Sequence, residues 1–149
     1  LRQRLSELSA RLLVQTLENA SNHPSTPQPQ IGISHADPMK KEEGVLDFSK
    51  PALSIHNQIR AFYPWPGSQT VFRGEQFKIH RARPIEDSGP AGEVLMAKKK
   101  LIIGCGEGAI EVLEAQLPGK KALPIQAILN GARIEKGEIM GTALGETNG

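Results

Sequence analysis

The chain has 149 residues, of which 38% are hydrophobic, 23% are charged and only 4% are aromatic. This size and composition fit one modest globular domain with looser attachments and exclude two domains of ordinary size. No apolar run approaches the ~20 residues needed to cross a bilayer, and the amino end lacks the pattern of an export signal, which argues against a membrane or secreted protein. A single cysteine, Cys105, excludes an internal disulfide, and no Cys/His spacing indicates zinc, so we expect a cytoplasmic protein without a metal.

The net charge of +2 says little about binding partners until it is divided along the chain. Residues 1–44 carry five basic and five acidic side chains, so the whole excess lies in residues 45–149. Much of it is clustered, and local clusters on one face can bind phosphates even when the total charge is small. The clusters are Arg81 with Arg83, Lys98 to Lys100, and Lys120 with Lys121.

Residues 1–19 are predicted to form an amphipathic helix, because leucines recur at three- and four-residue spacing between charged residues. Residues 20–44 contain four prolines and few apolar side chains, which predicts a partly extended linker. Because the first residue is Leu1 rather than Met, we expect a longer parent protein in which this helix ends a preceding domain. A free-standing amphipathic helix is the alternative.

Globular composition begins at Val45, and residues 45–48 are a short strand candidate. Ser49 is expected to cap a helix that has Pro51 in its first turn. Its buried stripe would be formed by Ile55, Ile59 and Phe62. The run Pro64-Trp65-Pro66-Gly67 would end it.

The remaining sequence predicts short strands and one further helix. Strands are expected at residues 69–72 and 76–83 around a turn at 73–75, and again at 92–97 and 101–104. Residues 124–130 are predicted to form a short helix with Ile125, Ile128 and Leu129 inward and Gly131 at its end. Turn signals every 8 to 12 residues favour a small, mainly β barrel over a parallel sheet.

Residues 101–109, Leu-Ile-Ile-Gly-Cys-Gly-Glu-Gly-Ala, imitate a strand that enters a dinucleotide-binding loop. The helix that should follow would stop at Pro118, and no second parallel strand with a ribose-binding acid follows. A glycine-rich hairpin is the simpler interpretation. Periodicity alone does not decide whether residues 109–117 form a helix or a strand.

Candidate catalytic groups are scarce. The four histidines, His23, His35, His56 and His80, have no serine, cysteine or paired carboxylate at a recognisable spacing. Cys105 between two glycines is more typical of a small buried side chain than of a reactive thiol.

Phosphate binding has better support from the residues. Lys98 to Lys100 lie between two predicted strands, and Pro118-Gly119-Lys120-Lys121 is a turn that presents two ammonium groups together. Solvated turns are an equally good explanation. Since aromatic residues are few, a nucleic acid would be bound through its backbone and shape rather than by base stacking.

Several segments in order and spacing resemble the carboxy-terminal part of bacterial methionyl-tRNA formyltransferase. The most specific is the Ile-Arg-Ala-Phe-x-Pro-Trp-Pro run of residues 59–66, and the similarity extends over about residues 1–141. The other segments are Gln28-Pro29-Gln30, Lys41-Glu42-Glu43-Gly44, Asp47-Phe48-Ser49-Lys50-Pro51-Ala52, Gly104-Cys105-Gly106-Glu107-Gly108 and Pro118-Gly119-Lys120-Lys121.

The resemblance implies formyl transfer from formyl-tetrahydrofolate to the amino group of methionyl-initiator tRNA during translation initiation. It implies that residues 1–19 are the last helix of a missing Rossmann-like catalytic domain and residues 20–44 the linker. Residues 45–141 would form an OB-like Greek-key barrel that binds tRNA, with one or two short helices, and residues 142–149 a flexible tail. It also implies that residues 109–117 are a strand.

The resemblance assigns residues to tRNA binding and none to catalysis. Lys41 matches a linker lysine associated with tRNA contact, and Lys40 joins it in charge. Arg60, Lys120 and Lys121 lie on family motifs, although Arg60 could instead lock its helix to the barrel. Pro38 stands where the family can carry another lysine.

The implied partners are initiator methionyl-tRNA and the catalytic domain, in a monomer that does not bind a membrane. Formyl-tetrahydrofolate would bind outside this chain, which is expected to be inactive alone. Two other classes stay open: the barrel of a formyl-tetrahydrofolate hydrolase or sugar-nucleotide formyltransferase, and a free-standing RNA-binding module.

Overall fold

The computed structural model describes residues 2–141, so the predicted tail at 142–149 lies outside the described residues. Within them the chain divides into two compact units, with the boundary between Asp37 and Pro38. The predicted domain boundaries at residues 19 and 44 stay predictions.

The first unit is a helix followed by irregular chain. Helix α1 spans Arg2–Glu18 and a single 3₁₀ turn follows at Ala20–Asn22, which confirms the predicted amphipathic helix. Its apolar side chains are half exposed within the unit, with Leu5 at 50% and Leu17 at 68% of their free accessibility. Residues 24–37 form no helix or strand, as expected for a proline-rich segment.

The second unit is a strongly curled antiparallel sheet with two short helices. The helices of this unit are α2 at Ala52–Phe62 and α3 at Ile125–Gly131. The strands are β1 at Ser68–Phe72, β2 at Glu75–Ile85, β3 at Val94–Ala97, β4 at Leu101–Gly104, β5 at Ala109–Gln116 and β6 at Leu123–Pro124. The sheet order is β1-β2-β5-β4-β3, and β6 pairs with β5 beyond the end of β4.

Residues 137–141, the closing segment, join the two edges of the curled sheet. On one side the Gly137 amide donates to the carbonyl of Val94, in β3, at 2.8 Å. On the other side the Gly141 amide donates to the Val71 carbonyl in β1 at 2.9 Å. The closing segment therefore bonds to both free edges, and the predicted mainly β barrel is confirmed.

The core lies inside the barrel and under α2. Buried residues alternate along β1, whereas all four residues of β4 are buried. Phe77, Ile79, Leu101 and Ile110 are almost completely buried. Helix α2 adds the predicted Ile55 and Ile59, while Phe62 is only half buried.

The entry into α2 differs from the prediction. Residues 45–48 form a single bridge between Val45 and Gln69 rather than a strand. Ser49 does not cap the helix, because its hydroxyl donates to the Asp47 carboxylate at 2.6 Å. The helix begins after Pro51, and the first free amide, that of Ala52, donates to the Glu107 carbonyl at 2.8 Å. A carbonyl from the glycine-rich turn therefore takes the place of the expected capping side chain.

The glycine-rich sequence forms a turn between the antiparallel strands β4 and β5, so the dinucleotide-loop interpretation is wrong. Residues 109–116 are strand, as the resemblance implied. The turn closes where the Cys105 amide donates to the Gly108 carbonyl at 3.0 Å. Gly106 packs against the Ser49 carbonyl so closely that a Cβ would overlap it, which explains a glycine here without a phosphate.

Candidate nucleic-acid-binding surface

The lysine turn, residues 117–121, is a rigid connection between β5 and β6. The Lys120 amide donates to the Leu117 carbonyl at 3.1 Å, and Gly119 has a φ of +65°. A proline followed by a glycine with positive φ is the pattern of a type II turn. The sequence therefore determines the backbone that presents Lys120 and Lys121, both of which are exposed.

A side-chain hydrogen-bond chain supports this turn from β2 and β5. The Gln116 amide nitrogen donates to the Lys120 carbonyl at 2.8 Å. Its amide oxygen lies 3.0 Å from His80 Nε2. The His80 ring in turn meets the Tyr63 ring edge-on, with 6.1 Å between their centroids. The turn is thus anchored to two strands and to the residue after α2.

Lys40 and Lys41 lie on a second turn that packs on the barrel unit. The 3₁₀ turn spans Lys41–Gly44, and the Lys40 amide donates to the Glu43 carboxylate at 3.0 Å. Gln58 of α2 donates to the Glu43 carbonyl at 2.9 Å, and Gly44 is buried against the Gly67 carbonyl. Both lysines are exposed but their backbone is held in place.

Arg60 is on the same helix as Gln58, and its side chain points along that helix. Its Nε donates to the Asn57 side-chain oxygen at 3.0 Å, one turn earlier. Among the described residues, this hydrogen bond stays within α2 and none joins the Arg60 side chain to the barrel. Instead, His56 Nδ1 lies 3.0 Å from the Ala82 carbonyl, and Ile55 and Ile59 pack into the core.

Ion pairs divide the basic residues into two groups. Arg83 and Lys100 share the carboxylate of Glu111, at 2.7 Å and 3.4 Å, and Arg73 pairs with Glu138 at 2.7 Å. Among residues 2–141, the predicted tRNA-binding side chains make no ion pair within 4.0 Å. These are Lys40, Lys41, Arg60, Lys120 and Lys121. In the described structure no carboxylate offsets the charge of these five side chains at close range, so they can attract an anionic ligand.

Two ionisable groups near β4 and β5, Glu111 and Cys105, have clearly shifted pKa values, and both are packed into the barrel. Burial alone would raise the pKa of Glu111, but hydrogen bonds from Arg83 and Lys100 outweigh it, and the net pKa lies below the ordinary value. Burial raises the pKa of the Cys105 thiol to about 11, so it is a poor nucleophile near neutral pH.

An apolar groove of about 520 Å³ separates the lysine turn from α3. Leu117, Leu123 and Ile128 line it, with Lys120 and Lys121 at its rim. In the described part of the chain, no three His, Cys, Asp or Glu side chains converge to hold a metal ion. Within the same residues, none of the helices has the length and apolar character needed to cross a membrane.

The sequence alone did not single out Lys78 and Gln116, two polar residues beside the lysine turn. Lys78 on β2 is the cross-strand partner of Gln116 on β5. Lys78 also lines a small depression with Pro118 and Gly119. Lys78 and Gln116 are 38 positions apart, and only the strand register brings Lys78 to this turn.

Comparison with known proteins identifies relatives over almost the whole chain. Residues 38–133 match the family model described as "Formyl transferase, C-terminal domain". The chain is 42% identical over 139 residues to the methionyl-tRNA formyltransferase of Dechloromonas aromatica, covering 93% of this chain and 45% of that protein. It is also 42% identical over 143 residues to that of Moorella thermoacetica, covering 93% and 46%. The chain spans slightly under half the length of these relatives.

Solved structures share the fold. HypX from Aquifex aeolicus in complex with tetrahydrofolic acid aligns with a TM-score of 0.58 at 21% identity, covering 88% of this chain and 26% of HypX. A HypX variant aligns with the same TM-score at 22% identity over 80% of this chain and 23% of HypX. At this identity the likeness shows a common architecture only.

Proposed function

Because the chain belongs to the family of formyl transferase C-terminal domains, we propose that it is the tRNA-holding part of a methionyl-tRNA formyltransferase. The parent protein formylates the amino group of methionyl-initiator tRNA, with formyl-tetrahydrofolate as the co-substrate. The residues of this chain bind and orient the tRNA, and none of them is assigned to the formyl chemistry.

The observation that carries the proposal is the lysine turn. Two exposed lysines, which make no ion pair with any carboxylate in residues 2–141, follow a Pro-Gly pair whose backbone is fixed by hydrogen bonds. Because the backbone of the turn is already held in place, it loses little further freedom when the two lysine side chains neutralise tRNA phosphates. Phosphate contacts set the register of a nucleic acid without reading bases, which suits a module that places the acceptor end in a distant catalytic site.

The other parts of the proposal concern the parent protein. Formyl-tetrahydrofolate binds in a catalytic domain outside these residues, and the protein works as a monomer in the cytoplasm. The leucine side of α1 supports an adjoining domain, since six large apolar side chains of that helix are at least half exposed within their own unit.

A filter-binding assay of the 149-residue chain with initiator tRNA at 50 and 200 mM salt tests tRNA binding. We expect the double variant Lys120→Ala/Lys121→Ala to bind several-fold more weakly and to reduce the salt slope by roughly 0.9 for each phosphate that is no longer neutralised. The double variant Lys40→Ala/Lys41→Ala should behave in the same way, and Arg60→Ala should show a smaller loss.

Lys50→Ala is the matched control, because Lys50 is also exposed and makes no ion pair within 4.0 Å in the described structure, but adjoins the bridge between Pro51 and Glu107 at the other end of β5. Strand β5 has eight residues, so the two ends are about 25 Å apart. Wild-type affinity and salt slope in the lysine-turn variant would refute the proposed function.

A further inference from the structure

Gln116 lies at the centre of a polar cluster that the proposed function does not yet use. Its Cα stands opposite that of Lys78 in the β2-β5 ladder. The two side chains, with Gln76, Pro118 and Gly119, line a depression of about 60 Å³ at this end of the barrel. A half-buried lysine, Lys78, therefore flanks the same turn that presents Lys120 and Lys121.

The hydrogen bonds of Gln116 fix the orientation of its amide. The Lys120 carbonyl can only accept, so the Gln116 nitrogen must face it, at 2.8 Å. The Gln116 oxygen then faces His80 Nε2 at 3.0 Å, which requires a proton on that nitrogen. Both the Nε2-H neutral ring and the cation meet this requirement. Gln116 therefore bridges β2 to the turn with each end of its amide used.

Lys78 has no competing partner among the described residues. No carboxylate of residues 2–141 lies within 4.0 Å of its ammonium group, in contrast to Arg83 on the same strand, which is paired with Glu111. Its positive charge is therefore available to a ligand that approaches the Pro118 turn.

We propose that Lys78 joins Lys120 and Lys121 in one phosphate-binding site, with Gln116 as the positioning residue that sets their relative placement. The proposal deepens the proposed function and rests on it, because the phosphates are those of the bound tRNA. A lysine on a strand and two lysines on a turn act together only if the turn is held at a constant position relative to the strand. Gln116 supplies that constraint through the Lys120 carbonyl.

The first experiment measures tRNA binding by Lys78→Ala at several salt concentrations. We expect weaker binding, with a salt slope reduced by about one, because one phosphate is no longer neutralised. Lys50→Ala again serves as the control and should bind like wild type. Far-UV circular dichroism and a urea titration of each variant show that it is folded.

The second experiment separates positioning from direct contact. Gln116→Leu keeps the size of the side chain but removes both hydrogen bonds, and we expect about three- to tenfold weaker tRNA binding in the wild-type background, as expected for losing ~1 kcal/mol. In the Lys120→Ala/Lys121→Ala background, the same substitution should change affinity less than twofold, because there are no turn lysines left to position. Gln126→Leu removes a side-chain amide at an exposed position of α3 and is the control for the loss of an amide.

The outcomes distinguish the two proposals. If Lys120→Ala/Lys121→Ala binds tRNA like wild type, the proposed function fails. If that variant binds weakly but Lys78→Ala keeps the wild-type affinity and slope, only the three-lysine site is refuted. An equal loss from Gln116→Leu in both backgrounds would show that Gln116 acts through the general fold or by direct contact, and would overturn its positioning role.

Discussion

Replacing Glu111 with glutamine should destabilise the barrel by about 2 kcal/mol. The Glu111 carboxylate accepts hydrogen bonds from Arg83 Nε at 2.9 Å and Arg83 Nη2 at 2.7 Å, and from Lys100 Nζ at 3.4 Å. Its side chain is only 8% exposed, whereas those of Arg83 and Lys100 are 55% and 49% exposed. A hydrogen bond to a charged group contributes roughly 1.5–3 kcal/mol, and rehydration of the two half-exposed cations keeps the total near the lower end.

Urea unfolding followed by circular dichroism measures this loss. With an m-value of about 1–1.5 kcal/mol/M for a domain of this size, the midpoint should fall by about 1–2 M at pH 7. Because the pKa of Glu111 is lowered in the folded state, its contribution is present above the ordinary value of 4.5 and is lost as the pH falls through the folded pKa. The difference between wild type and Glu111→Gln should therefore narrow below about pH 4.

Glu114→Gln is the matched control on the same strand. Glu114 stands opposite Arg81 in the ladder, but it makes no ion pair within 4.0 Å in the described structure. We expect a change below about 0.5 kcal/mol. Equal destabilisation by the two substitutions, or a Glu111→Gln effect that is the same at pH 3 and pH 7, would refute the reasoning.

Three further predictions concern the turns and the cysteine. Gly106→Ala should lower the free energy of unfolding, measured in urea, by more than about 3 kcal/mol, because its Cβ would overlap the Ser49 carbonyl. Gly131→Ala, which has open space around it, should be neutral or stabilising. Similar changes in the free energy of unfolding for the two variants would contradict the packing argument. Gly119→Ala meets no neighbour but needs a φ of +65°, so it should cost about 1 kcal/mol and weaken tRNA binding; wild-type stability and affinity would be the contrary result. Cys105, with its pKa raised to about 11, should react with iodoacetamide at pH 8 far more slowly than free cysteine, and a rate equal to that of free cysteine would disprove its protection.

Local periodicity predicted most of the secondary structure. The leucine spacing of residues 1–19 and the alternation around the 73–75 turn depend on neighbours a few positions apart, so they are visible in one sequence. The closing segment at 137–141 has no such pattern, because its hydrogen bonds go to distant edges of the sheet. The expected cap at Ser49 was wrong for the same reason: the amide of Ala52 finds the Glu107 carbonyl, 55 positions away.

Only those parts of the candidate site that lie on local sequence motifs could be predicted from the sequence. Pro118-Gly119-Lys120-Lys121 is a local signal and forms the expected turn. The pairing of Lys78 with Gln116 depends on the register of β2 against β5, and the irregularity between Ile79 and Ala82 leaves that register unchanged. A one-residue slip of the whole register would reverse which face each side chain occupies, and a single sequence does not show how two distant strands are aligned.

The ion pairs give the small net charge a physical meaning. Glu111 and Glu138 hold Arg83, Lys100 and Arg73 against the barrel, so these cations contribute mainly to stability. Within residues 2–141 the lysine turn makes no ion pair with a carboxylate, so its charge is available for the proposed binding of tRNA. The two roles can be separated experimentally: Glu111→Gln should lower the urea midpoint while leaving the salt slope of tRNA binding unchanged, and Lys120→Ala/Lys121→Ala should do the reverse. If both variants changed both the urea midpoint and the salt slope of tRNA binding, the basic residues could not be divided into a stabilising group and a binding group.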